Sequence, residues 1–138
     1  MAVESYIPMR AVIEGKIYNT ATSKLIGGYS RPGSEDSVWK DNSYIGGGAV
    51  SESLWKTRKG AYYTARNTSH REDSGYSTLE QMAEDGSATR SQSESDLYYI
   101  PKSIQPISAE EALNWAEQHM KPQEIEAEFA DTGLLEEA

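Results

Sequence analysis

Glu52-Ser53-Leu54-Trp55-Lys56-Thr57, then Arg58-Lys59-Gly60, then Ala61-Tyr62-Tyr63-Thr64-Ala65: these residues read as two strands and the loop between them. Gly60 suits the left-handed position that a three-residue hairpin loop with a bulge requires. Leu54, Lys56 and Arg58 alternate with Trp55 and Thr57, so one face of the hairpin should be more apolar than the other.

Working upstream, Ala11-Val12-Ile13 and Lys16-Ile17-Tyr18 flank Glu14-Gly15, a short strand pair or one bent strand. Tyr18-Asn19-Thr20-Ala21-Thr22 has strand and turn character. Lys24-Leu25-Ile26 is a second apolar stretch, ended by Gly27-Gly28. Residues 30–48 read as a long loop holding Trp39, Tyr44 and a flexible turn at Gly46-Gly47-Gly48.

Downstream, residues 66–97 are rich in Ser, Thr, Asn, Asp, Glu and Gly. They read as a flexible polar loop, interrupted by a short helix from Leu79 to Glu84 with Thr78 as its cap and Asp85-Gly86 as its end. Leu97-Tyr98-Tyr99-Ile100 is a strand stopped by Pro101. Ser108 with Glu111 forms a capping box, and Glu110 and Glu111 favour the positive end of the helix that follows. Ala109, Ala112, Leu113, Ala116 and Met120 fall on one face of it at helical spacing. Pro122 opens a second helix, Gln123 to Ala130, ending near Gly133. An acidic tail at 131–138 is expected to fray.

The expected fold is therefore α+β. One domain, residues 1–138, packs a small antiparallel sheet built around the 52–65 hairpin against one or two C-terminal helices. Trp55, Tyr62 or Tyr63, Ile100, Leu113 and Ala116 are the core candidates.

Composition narrows the chemistry. The chain has 138 residues, 37% of them hydrophobic, and no cysteine. That removes disulfides, thiol catalysis, iron–sulfur clusters and Cys-type zinc sites. His70 and His119 are too few for a zinc site of His and Cys ligands. No apolar run approaches the length of a membrane helix, and the start carries no secretory signal, so a cytoplasmic protein that touches no membrane is expected. Gly46-Gly47-Gly48 lacks the Lys-Ser/Thr pair of a phosphate loop, and no serine sits in a Gly-x-Ser-x-Gly elbow. His70, among acids in the polar loop, reads as solvated, and His119 as a complement to the helix dipole. No catalytic residue, metal site or cofactor is expected, and the chain reads as a non-enzyme.

Charge is the informative feature. The net is -9, with residues 1–69 at +3 and residues 70–138 at -12. From Ser108 to Ala138 there are nine acids and one base. Glu110, Glu117, Glu124, Glu126, Glu128 and Asp131 form a candidate partner-binding face. Carboxylates at helical spacing can imitate duplex phosphates and fill a basic channel on another protein. The same row is also what a solvated helix face looks like. The alternative surface is the hairpin, where Trp55, Lys56, Arg58, Lys59 and Tyr62 combine charge with rings for nucleic-acid contact. Alternation places Trp55 and Lys56 on opposite faces, and the acidic total opposes direct nucleic-acid binding. Trp115 on the helix flank, with many tyrosines, leaves a homodimer through an aromatic patch open.

Three blocks together carry a resemblance: Tyr18-Asn19-Thr20-Ala21-Thr22 with Leu25-Ile26; the Leu54-Trp55-x-Thr57-x-x-Gly60-x-Tyr62-Tyr63 hairpin; and Ile104-Gln105-Pro106-Ile107-Ser108-Ala109-Glu110-Glu111-Ala112-Leu113-Asn114-Trp115. Their order resembles a group of short proteins of bacterial phages, plasmids and other mobile elements. In that group a Tyr-Asp-Thr segment precedes a Leu-Tyr-x-Thr-x-x-Gly-x-Tyr-Phe hairpin, and an Ile-Pro-Leu-Ser-x-Glu-Glu-Ala-x-x-Trp helix closes the domain. Asn19 and Tyr63 depart from that pattern, and residues 66–97 have no counterpart in it. The resemblance implies a small mixed domain of mobile-element origin and no reaction. Together with the acidic surface it leads to an expected function. This is an inhibitor of a host protein, most sharply a CRISPR effector or other defence nuclease. The partner would be a basic nucleic-acid-handling protein in the bacterial cytoplasm. A nucleic-acid-binding accessory protein using the 54–63 hairpin is the alternative.

Overall fold

The structure, a computed structural model, describes residues 7–32, 38–40, 43–72, 78–94 and 96–138. The chain is α+β. Strands β1 (Arg10–Ile13) and β2 (Lys16–Asn19) form a two-stranded sheet. The main sheet contains β3 (Lys24–Pro32), β4 (Val38–Lys40), β5 (Ser43–Lys56), β6 (Tyr62–Glu72), β7 (Thr89–Arg90) and β8 (Leu97–Ile107). Its order is β3-β5-β6-β8-β7, with β4 also paired to β5. The helices are α1 (Thr78–Asp85), α2 (Ala109–His119) and α3 (Pro122–Phe129).

The chain divides into two compact units. One comprises Pro8–Tyr29, Ser53–Ala65 and Ile104–Ala138, and is called here the hairpin unit. The other comprises Met1–Ile7, Ser30–Glu52 and Arg66–Ser103, the α1 unit.

The hairpin unit is built on local signals. Glu14 and Gly15 have φ of 51° and 76°, the two left-handed positions of a type I′ turn, which matches the twist of a two-residue hairpin. Ile13 therefore pairs with Lys16, and Val12 with Ile17. Asn19 then accepts a hydrogen bond from the Ala21 N–H at 2.9 Å and starts a single 3-10 turn, Thr20–Thr22. In the loop between β5 and β6, Gly60 has φ 91° and the Thr57 N–H donates to the Ala61 carbonyl at 2.8 Å. The capping box is present: the Glu111 N–H donates to Ser108 Oγ at 3.1 Å, and the Ser108 N–H to Glu111 Oε1 at 2.9 Å.

Both faces of the hairpin are buried. Leu54 and Tyr62 pack against Ala112, Ala116 and Phe129, with Leu113, Ile107 and Ile125 around them. The small side chains at 112 and 116, one turn apart, let α2 approach the strands closely. The Tyr62 and Phe129 rings stack at 5.6 Å. Met120 fills the space over Gly27, where a Cβ would meet its side chain at 3.1 Å. On the opposite face, Tyr63 meets Tyr18 edge-on at 5.3 Å and donates to Ser23 Oγ at 2.8 Å. The Trp55 indole N–H donates to Ser53 Oγ at 2.7 Å.

The α1 unit corrects several expectations. Residues 30–48, read as a loop, carry β4 and the start of β5, with Trp39 and Tyr44 paired through the backbone. The Gly46-Gly47-Gly48 run lies inside β5, and β3 continues through Gly27-Gly28. Residues 66–97, read as a flexible polar loop, carry the end of β6, then α1 and β7. Ladder pairing in a sheet overrides weak strand propensity, so Gly- and Ser-rich segments are extended here. α1 itself matches the expectation and ends at Gly86, φ 89°. Its Leu79 packs on Tyr98, with Met82, Ala83 and Ile100 around them. Pro101 does not stop β8, which runs on to Ile107. Among the described residues β7 pairs with Tyr98 and Tyr99 alone, so Pro101 and Pro106 lie beyond that pairing, where a sheet tolerates proline.

Candidate functional site

The candidate acidic face lies wholly in the hairpin unit. Glu110, Glu117, Glu126 and Asp131 are exposed and make no ion pair among the described residues. Glu124 is exposed too, but its carboxylate accepts the Lys121 N–H at 3.0 Å and so caps α3. Glu128 departs from the expected set. Its side chain is only 7% exposed, and it accepts from Tyr62 Oη at 2.8 Å and from Lys56 Nζ at 3.1 Å. Lys24 Nζ, largely exposed, reaches its other oxygen at 3.4 Å. Burial pushes the Glu128 carboxyl up, but the Tyr62 hydroxyl and the Lys56 ammonium outweigh it and hold the group below its ordinary range. Burial and the adjacent carboxylate push the Tyr62 phenol upward. Glu128 is thus a clasp between α3 and the hairpin, not part of an outward face.

The same contacts occupy part of the alternative nucleic-acid surface. Trp55 and Tyr62 are buried, on opposite sides of the strands. Lys56 is engaged with Glu128 and lies 5.4 Å from the Tyr62 ring centre. Arg58 and Lys59 remain exposed. His119 is exposed and stacks on Tyr29 at 4.0 Å, 4.7 Å from Trp115. His70, read as solvated, is 1% exposed, because β6 extends past it, and its Nε2 lies 2.7 Å from Thr68 Oγ1.

Two features were missed. One is the Glu128 clasp, whose partners lie 66, 72 and 104 residues away. Its single sequence signal was that Lys56 and Tyr62 share a face. The other is a groove of about 610 Å³ between Gly15–Tyr18 and the hairpin loop, lined by Lys16, Ile17, Tyr18, Thr57, Arg58 and Lys59 among others. Its signal was present in the charge: residues 8–29 and 53–65 hold six basic residues and one acid, against nine acids and one base in residues 104–138. The hairpin unit is electrically two-sided in sequence.

No three His, Asp or Glu side chains come together as a metal site among the described residues. No described helix is long and apolar enough to cross a membrane. Comparison of the chain with protein-family models, with curated proteins and with solved structures gives no match.

Proposed function

We propose that this chain is a non-enzymatic binding protein of a phage or mobile element that inhibits a host protein by presenting carboxylates to a basic surface. The observation that carries the reading is the set Glu110, Glu117, Glu126 and Asp131, exposed on and just after α2 and α3 with no cation among the described residues paired to them. Both helices are held firmly, by the Ser108 capping box and by the Glu128 clasp, so the charges are displayed from fixed elements. A fixed array of like charge steers association with an opposite one and loses little entropy on docking. A channel that normally holds nucleic acid is the complementary surface, and the resemblance to mobile-element proteins makes a CRISPR effector or other defence nuclease the sharpest form of the target.

The alternative, a nucleic-acid accessory protein working through residues 54–63, loses support because Trp55 and Tyr62 are occupied in the core. The test is a pull-down from bacterial lysate at low and high salt, followed by mass spectrometry. A basic nucleic-acid-handling protein should be retained at low salt and released at high salt. Substitution of Glu110→Lys, Glu117→Lys and Glu126→Lys together should abolish retention. If the triple variant retains the same protein, the reading fails.

A further inference from the structure

We propose that the groove beside β2 receives the Leu134-Leu135-Glu136-Glu137 segment of a second copy of this chain. Four consecutive residues, Gly15–Tyr18, line the groove, so β2 lies along it. Among the described residues β2 is hydrogen-bonded only to β1, which leaves its other edge without a strand partner. An unpaired edge bordering a groove is the template on which an extended peptide adds as a strand.

The chemistry of the groove selects the peptide. Lys16, Arg58 and Lys59 line it, all exposed, and none is in an ion pair among the described residues. Ile17, also in the lining, is 58% exposed. A segment that fits must therefore offer carboxylates together with aliphatic side chains. Large hydrophobics exposed among the described residues are Val12, Ile17 and Leu135. Val12 and Ile17 are cross-strand partners on β1 and β2. Leu135 lies in the segment that also supplies Glu136 and Glu137, and residues 134–138 form no helix or strand. That segment does not line the groove of its own chain, so the occupant comes from another copy. Such a contact joins two different surfaces, so association continues from copy to copy and grows with concentration.

Sedimentation velocity on the full chain tests this. At about 20 mM salt the mean mass should rise with protein concentration, and at about 500 mM, where the screening length is a few ångströms, it should fall back to the monomer. The double substitution Arg58→Glu with Lys59→Glu should weaken association about tenfold or more, and so should Glu136→Lys with Glu137→Lys. All four positions are exposed, and a thermal melt checks that each variant folds. Mixing the two charge-reversed variants should restore association between them, which no general loss of stability would do. A chain that stays monomeric at every concentration overturns the proposal. So does association that neither double variant changes, or mixed variants that remain apart. A monomeric chain that shifts a single-stranded DNA probe through Arg58 and Lys59 also overturns it and assigns the groove to a phosphate backbone.

Discussion

Leu54, Lys56 and Tyr62 leave the β5–β6 hairpin on the side of α2 and α3, whereas Ser53, Trp55 and Tyr63 leave it on the other. The first side is closed by aliphatic and aromatic contact and by a buried carboxylate with two ammonium partners. The second is closed by rings and neutral hydroxyls, with Tyr63 on Ser23 and Trp55 on Ser53. Alternation in a strand separates two faces, but it does not say that either meets water. Here it divides a charge-dependent face from a neutral one.

The largest test of that contrast is Phe129→Ala. The ring is fully buried against Tyr62 and Leu54, so its removal should cost about 3–5 kcal/mol, much of a small domain's stability. Chemical denaturation would show it as a fall in midpoint. A midpoint unchanged from the parent would mean that α3 does not close the helix-side face.

Glu128→Gln comes next. It keeps the shape and removes the charge, leaving the half-buried Lys56 without its carboxylate, and should cost about 1–3 kcal/mol. Most of that belongs to Lys56 and Tyr62, because Lys24 is 72% exposed and contributes little. The Lys24→Ala variant should therefore stay close to the parent in the same denaturation series.

The pH dependence separates the two faces directly. Glu128 is held below its ordinary value of 4.5, so its contribution to stability is fully present above that pH. It is lost as the pH falls from there through the lower folded value. The parent should lose more stability than Glu128→Gln between neutral and acid pH, and equal losses would remove the clasp from the account. Tyr63→Phe, on the neutral face, deletes one hydrogen bond to Ser23 and should cost about 0.5–1.5 kcal/mol. Its deficit should be the same at pH 7 and in acid.

Much of the hairpin unit was legible in sequence because its signals are local. Gly60 marks the loop, Glu14-Gly15 the break between β1 and β2, which the structure resolves as a strand pair, and Ser108 with Glu111 the start of α2. The α1 unit was read least well. Gly46-Gly47-Gly48 and the polar run at 66–72 are poor strand formers, and they are extended through pairing with neighbours that no short window contains. The site divides in the same way. Glu110, Glu117, Glu126 and Asp131 are exposed as expected, and Trp55 and Tyr62 lie in the core as expected, while Glu128 was misplaced because its surroundings come from distant segments.

The Glu128 clasp also bears on the order in which the chain folds. The hairpin loop and the capping box each close between residues at most four apart, whereas the clasp ties Glu128 to Tyr62, Lys56 and Lys24 across 66, 72 and 104 residues. Closing loops of that length carries an entropy cost that must be met before the contact is made, so the clasp is expected to form later than the local turn and cap. A contact absent from the transition state leaves the folding rate nearly unchanged and governs how fast the native state opens. Glu128→Gln should then speed unfolding while leaving the folding rate nearly unchanged, which stopped-flow kinetics would read as a latch on the lifetime of the folded state.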